Sequence, residues 1–276
     1  MERKEILDRL KAKVASGKPI VGTGAGTGLS AKSEEAGGTD LIIVYNSGWF
    51  RMQGLPSVCG NFPLGDANSI VLELGKVVLP VVKHTPVLAG VFANDPFRDM
   101  KKFITELKEF GFSGVQNFPT VGTYTAVYRQ NIESVGISYD KEVEMIHIAH
   151  ELDLLTTPYA YTIEEAEKMA KAGADIVVAH CRGTVGGMVG VAADGIMTID
   201  EACKKVQDIH DAVVAINPEA MVICHGGPIA TPEDAAYVLS HTKGIAGFYG
   251  ASSAERLPVE KAIKEQVEKF NSINLN

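Results

Sequence analysis

The run Thr162-Ile-Glu-Glu-Ala-Glu-Lys-Met-Ala-Lys-Ala-Gly-Ala-Asp-Ile-Val-Val-Ala179 holds a complete helix–turn–strand unit. Thr162 stands three residues before an acid, Glu165, the capping-box arrangement that starts a helix. The helical pattern runs from Ile163 to Ala172 and Gly173 supplies a left-handed cap. Asp175-Ile-Val-Val-Ala179 then follows as a continuous apolar run. Runs that are apolar throughout, rather than at alternate positions, suit parallel strands buried on both faces. The same plan recurs at Glu35-Ala-Gly-Gly-Thr-Asp-Leu-Ile and at Glu109-Phe-Gly-Phe-Ser-Gly-Val, a weak internal repeat.

Outward from this unit, seven more runs of the same kind span the chain. They are Pro19–Gly22, Asp40–Tyr45, Pro86–Val91, Gly114–Phe118, Leu154–Thr157, Met221–Cys224 and Gly247–Gly250. Helical patterns separate them, among them Phe97–Phe110, Lys141–Leu152, Ile199–Ile216 and Pro232–Ser240, with further capping boxes at Thr198/Glu201 and Thr231/Asp234. Asp95-Pro96 and Thr231-Pro232 place Pro at a first helical position. Eight strands alternating with helices predict an α/β fold, a single (β/α)₈ TIM-barrel domain over residues 1–276. Gly22-Thr-Gly-Ala-Gly26 resembles a dinucleotide fingerprint, but no acid follows at the ribose position. Two regions are extra: a helical pattern over 2–15, expected to cover the closed bottom, and a long loop over 46–68 after the second strand.

Composition narrows the functions. Apolar residues make up 46% of the 276 and charged ones 22%, with a net charge of −8 and no basic stripe, which argues against nucleic acid. The four cysteines have no metal-ligand spacing. The charged N-terminus is no secretory signal and no stretch is apolar enough for a spanning helix, so no membrane is expected and the cytoplasm is the expected location. Trp49, Phe50, Leu55, Val58 and Phe62 in the long loop predict a homo-oligomer.

In a barrel of this kind the site is built from strand ends and the loops after them. His225, His180, Asp95 and Glu255 are the candidate catalytic residues. The histidines titrate near neutral pH and could act as general acid and base, though a strand-end His is as often structural. His225 is read as the leading acid, its pKa raised by a bound anion. Asp95 has the plainer alternative of capping a helix. Gly226, Gly227, Gly250, Ala251, Ser252 and Ser253 form two Gly/Ser-rich turns at adjacent strand ends, expected to hold a phosphate or carboxylate. Gly22, Thr23, Asn46, Ser47, Arg51, Asp66, Asn117 and Tyr159 complete the substrate-binding candidates, and of Tyr159 and Tyr161 only one is expected to touch substrate. No lysine ends a strand, against Schiff-base chemistry, and no serine sits in a nucleophile elbow.

Tyr45-Asn-Ser-Gly48, Leu64-Gly-Asp-Ala-Asn68, Asp95-Pro-Phe-Arg-Asp99 and Gly114–Gly122 resemble the phosphoenolpyruvate hydrolase family of TIM barrels. So do Leu155-Thr-Thr-Pro-Tyr159, Cys224-His-Gly-Gly-Pro228 and Gly247–Ser253 with Glu255-Arg-Leu-Pro258, and the resemblance runs from about residue 5 to residue 270. That family is similar to the C-terminal domain of a plant tobamovirus-resistance protein and is grouped with the phosphoenolpyruvate/pyruvate barrels. The resemblance implies an enzyme acting on a small phosphorylated or carboxylated metabolite, by hydrolysis or by C–C or P–C cleavage at the barrel mouth. Enzymes of the wider group hold Mg²⁺ through strand-end acids. Here those strand ends read Tyr-Asn-Ser, Asn-Phe-Pro and Ala-His-Cys, so the carboxylate ligands of a divalent metal are not visible. The alternative is a non-catalytic regulatory or signalling barrel that binds a small anion.

Overall fold

The structure, a computed structural model, describes residues 1–275. The chain begins with α1 (Arg3–Ala15), β1 (Ile20–Gly24), α2 (Gly28–Ala36), β2 (Leu41–Val44), α3 (Asn46–Met52) and α4 (Ala67–Val78). It continues through β3 (Val87–Gly90), α5 (Met100–Phe110), β4 (Gly114–Gln116), α6 (Ala126–Ser134), α7 (Tyr139–Glu151), β5 (Leu155–Thr156) and β6 (Tyr159–Ala160). The last third is α8 (Ile163–Lys171), β7 (Ile176–His180), α9 (Ile199–Ile216), β8 (Met221–His225), α10 (Pro232–Ser240), β9 (Gly247–Gly250) and α11 (Arg256–Asn271).

All nine strands lie in one parallel sheet of order β5-β4-β3-β2-β1-β9-β8-β7-β6. The strands at its two ends, β5 and β6, are joined by Thr157-Pro158 alone. Thr157 N–H donates to Val115 O at 3.0 Å, while Pro158 O accepts from Val178 N–H at 2.8 Å on the other side. The sheet therefore curls until its edges meet in one chain segment. Pro158 has no N–H to give, so the fifth run divides into two fragments rather than ending at Thr157 as expected.

Local signals place most elements. α9 and α10 have the predicted bounds, and Gly38, Gly111 and Gly173 take the left-handed φ that ends their helices. The boxes at Thr198/Glu201 and Thr231/Asp234 are reciprocal. At Thr162 only half forms, because the Glu165 carboxylate is taken by Tyr161 N–H and Arg129. Replacing Thr198 by Ala is expected to cost about 1 kcal/mol, a fall of roughly 2–4 °C in Tm; an unchanged melting curve would show that water replaces the cap.

Three expectations need correction. The fifth helix starts at Met100, capped by Asp99, and Asp95 instead accepts from Phe97 N–H in a local turn, leaving Pro96 outside the helix. Helix α6 was not anticipated, since Ala126–Ser134 carries no buried residue and hence no apolar stripe. The region 46–68 is not a plain loop: it holds α3 and a 3₁₀ turn at Ser57–Asn61. A Cβ on Gly26 would lie 2.0 Å from the carbonyl oxygen of Gly48, so glycine lets α3 press against the loop after β1. As expected, α1 covers the N-terminal end of the sheet. Arg3 bonds Asp175 before β7, Arg9 bonds the carbonyls of Asp40 and His84 before β2 and β3, and Ile6 and Leu10 are fully buried. Among the described residues, no helix is long and apolar enough to cross a membrane.

Candidate functional site

The ends of β2, β6, β7, β8 and β9, with α3 and its 3₁₀ turn, surround a cavity of about 80 Å³. Its one permanent charge comes from Arg51 on α3, a residue that is only 2% exposed. Arg51 Nε donates to Glu255 Oε2 at 2.6 Å and Nη2 donates to Gly24 O at 2.8 Å. Glu255 is itself held, its Oε1 accepting from Gly26 N–H at 2.6 Å and from Ser30 Oγ at 2.5 Å. Burial opposes the guanidinium charge, but Glu255 outweighs it and keeps Arg51 protonated. Nη1 has no partner although it is buried. A buried donor left unbonded is costly, so this clamp presents one free donor edge beside the cavity.

Facing it are His180 and His225, register partners at the ends of β7 and β8, with ring centroids 4.5 Å apart. His180 Nδ1 accepts from Arg182 N–H at 2.8 Å, which puts its proton on Nε2. Arg182 takes a left-handed φ of 76° to make that bond, local strain of the kind that gathers at functional sites. His225 Nδ1 lies 2.6 Å from Tyr249 O and must donate to it, leaving Nε2 as an acceptor. Burial, reinforced by the Arg51 charge, pushes His225 down to about 4. Burial and the neighbouring His225 also hold His180 well below the ordinary range. Without a ligand both rings are therefore neutral at pH 7, so the expected imidazolium at His225 would depend on a bound anion to offset burial and the Arg51 charge. Tyr159 stacks on His225 at 5.2 Å and Tyr161 on His180 at 4.4 Å. Both tyrosines line the cavity, and both hydroxyls are buried without a partner. Two residues apart on an extended chain, they share a face, so both rather than one stand where a substrate could meet them.

Ser47, Ala251 and Ser252 also reach the cavity, with Ser57 Oγ 3.1 Å from Ser252 Oγ. Other candidates do not. Thr23 points away from the interior, bonding Glu34 at 2.9 Å and Thr39 at 3.0 Å, while the side of Gly22 faces the Tyr249 ring. Asn117 is spent on Glu142 and on the Tyr159 backbone. Gly226 and Gly227 shape a turn packed on Arg182, whose carbonyl takes the Gly227 N–H at 2.8 Å, and Gly250 and Ser253 crowd each other outside the cavity. Asn46, Asp66 and Asp95 line a neighbouring groove of about 590 Å³. That groove is mostly apolar, and Arg98 pairs with Asp66 and Asp95 at its rim. Glu255 acts only through Arg51. Tyr45, Ser57, Asn61, Phe118, Thr123, Tyr161, Gly183 and Thr184 line the cavity beyond the sequence-based candidates. Only Tyr45, Phe118 and Tyr161 carried a signal, their place at a strand end.

The family described as phosphoenolpyruvate hydrolase-like matches residues 5–273. The chain belongs to this family. It is 57% identical to the ToMV susceptible protein tm-1 of Solanum lycopersicum, across 98% of the chain and 36% of that protein. It is 32% identical to a putative transcriptional regulatory protein of Sinorhizobium fredii, across 98% of the chain and 44% of that protein. The chain thus spans about a third of the tomato relative and under half of the bacterial one. Among solved structures, a phosphonopyruvate hydrolase in complex with oxalate and Mg²⁺ superposes with a TM-score of 0.60 at 15% identity, covering 98% of this chain and 87% of that one. A phosphoenolpyruvate phosphomutase from Streptomyces platensis gives 0.59 at 17%, covering 96% and 86%. At such identities the likeness is one of fold, that of the TIM-barrel-like phosphoenolpyruvate enzymes.

The residues of this phosphoenolpyruvate hydrolase-like chain do not fit Mg²⁺. That ion takes hard oxygen donors in octahedral array, whereas the cavity offers a guanidinium, two neutral imidazoles and hydroxyls. Glu255, the partner of Arg51, is turned onto Arg51, Gly26 and Ser30 and is not part of the lining. Among the described residues, no three His, Cys, Asp or Glu side chains converge as metal ligands.

Proposed function

We propose that the chain is a hydrolase- or lyase-type enzyme whose substrate is a small carboxylate, held by Arg51 at the mouth of a (β/α)₈ barrel with strand five broken at Pro158. The unpartnered Nη1 of buried Arg51 carries this reading. A cavity of about 80 Å³ is far below the ~300–1,000 Å³ of sites for drug-sized ligands, so it suits a small metabolite. The polar groups define its shape. Arg51 Nη1 and His180 Nε2–H donate to the carboxylate, and neutral His225 Nε2 accepts a proton from an adjacent hydroxyl or a water. Tyr159 and Tyr161 wall the cavity with buried aromatic faces, and the low local dielectric strengthens each of these bonds.

Calorimetry with oxalate, pyruvate, phosphoenolpyruvate and phosphate tests this, first in EDTA and then with Mg²⁺. At least one carboxylate is expected to bind equally well in both, and binding that appears only with Mg²⁺ would overturn the reading. A second reading, a non-catalytic anion sensor, is favoured by one observation: neither a thiol nor a free carboxylate lines the cavity. Binding with no product by NMR across the panel would select it.

A further inference from the structure

The groove of about 590 Å³ beside the cavity is lined by the loops after β2, β3 and β4 and by α6. Of its lining residues, Asn61 alone also lines the cavity. Its volume lies within the ~300–1,000 Å³ of sites for drug-sized ligands. Much of its apolar wall stands in water. Phe97 is 93% exposed, Phe62 59% and Tyr128 58%, and Tyr124 meets Tyr128 edge-on with ring centroids 5.1 Å apart. Helix α6, which supplies Tyr128 and Ile132 to the wall, buries no residue of its own. Aromatic faces gathered around one concavity and left exposed mark a binding surface.

The polar groups define what it takes. Asp66 and Asp95 share one guanidinium, that of Arg98, so the rim keeps an unbalanced negative charge. Burial opposes ionisation of Asp66, but its bonds to Arg98 and Ser69 outweigh this and hold it down to about 2. Burial opposes ionisation of Asp95 too, and bonds from Phe97 N–H, Asn68 and Arg98 hold it below the ordinary carboxylate range. Both acids are therefore charged at neutral pH. The terminal nitrogens of Arg98 are spent on Asp66, Asp95 and Ser69, which leaves little to attract an anion. Asn46, only 3% exposed, lines the same groove. Its Nδ2 donates to Gly60 O at 2.9 Å, and its Oδ1 is buried with no donor.

We propose that this groove is a ligand site for an aromatic ammonium compound, its ring among Phe62, Phe97, Tyr124 and Tyr128 and its cation at the Asp66–Asp95 rim. Aromatic faces attract a cation through their quadrupole, and the unbalanced carboxylate adds to that attraction. An N–H of the ligand answers the orphaned Asn46 Oδ1. The charge preference is opposite to the one proposed for the Arg51 cavity, and either proposal can fail without the other.

Calorimetry at pH 7 and low salt tests this with three probes of one ring system: tryptamine, neutral skatole and anionic indolepropionate. Tryptamine should bind most tightly and indolepropionate least. Asp66→Asn keeps a capping side chain on α4 while removing the surplus charge. It should weaken tryptamine about fivefold, the upper end for a half-exposed ion pair, and leave skatole unchanged. Phe97→Ala removes a side chain that buries almost nothing, so folding is preserved, and it should weaken tryptamine by about twofold to fivefold. Indolepropionate bound as tightly as tryptamine, or tryptamine unaffected by both variants, overturns the proposal. So does a fall in particle mass on Phe97→Ala in light scattering, which would assign the groove to a contact between copies of the chain.

Discussion

Replacing Arg51 by alanine is expected to abolish carboxylate binding and to lower folding stability by about 3–5 kcal/mol, the usual cost of leaving a buried charge without its partner. Glu255 would keep the Gly26 N–H and Ser30 hydroxyl bonds but lose its counter-charge. Against a typical total of ~5–15 kcal/mol, that is a large share. The double variant Arg51→Ala/Glu255→Gln separates the two effects. It should recover much of the stability, because no buried charge remains, and none of the binding. Denaturant unfolding with oxalate calorimetry reads both. Oxalate bound by the double variant as tightly as by the wild type would remove Arg51 from the site.

His225→Gln should lower turnover by ~10²–10⁴ where a reaction is found, the range for a positioned proton acceptor. The glutamine amide reaches the place of Nε2 rather than Nδ1, so the bond to Tyr249 O is given up at about 1 kcal/mol, a cost that does not vary with pH. The titration gives a second readout. In the fold His225 is pushed down to about 4, against an ordinary value of 6.5 when unfolded. As pH falls through that interval, the unfolded chain takes up the proton first, so the wild type loses stability. Above 6.5 the contribution is fully present, and below 4 the loss is complete, at about 3 kcal/mol. The glutamine variant lacks this share of the slope. Because half-buried Glu34 is pushed up to about 8 and titrates in the opposite sense, the wild-type-minus-variant difference is the quantity to follow. Parallel curves between pH 4 and 6.5 would show that His225 is not buried as a neutral base. Turnover left intact by the substitution would reduce its role to packing against Tyr159.

Much of the scaffold was legible because its signals are local. A strand buried on both faces must be apolar at each position, a left-handed helix end favours glycine, and a Thr cap with an acid three residues on satisfies its own backbone. Each of these is decided within a few residues, and so Ile199–Ile216, Pro232–Ser240, Gly111 and Gly173 could be placed without coordinates. His180 and His225 were legible for the same reason, as the last residues of apolar runs. The family was legible too, in strand-end segments such as Tyr45-Asn-Ser-Gly48 and Cys224-His-Gly-Gly-Pro228.

The site chemistry was decided elsewhere. Arg51 and Glu255 are 204 residues apart, and nothing near either one announces that α3 will bury the first against the second. Whether Thr23 or its glycine neighbours faced inward depended on the pairing of β1 with β9. The Gly226-Gly227 turn offered the composition of an anion cradle, but Arg182 accepts the Gly227 N–H. The ligand-free protonation of His225 was not legible, because an imidazole's charge depends on its solvation, which the folded neighbours determine. Sequence determined which segments would be strands and helices, because backbone bonding and apolar period are satisfied locally. Tertiary structure decided which polar groups would be left unpaired at their ends, because burial and pairing are properties of residues brought together from across the chain.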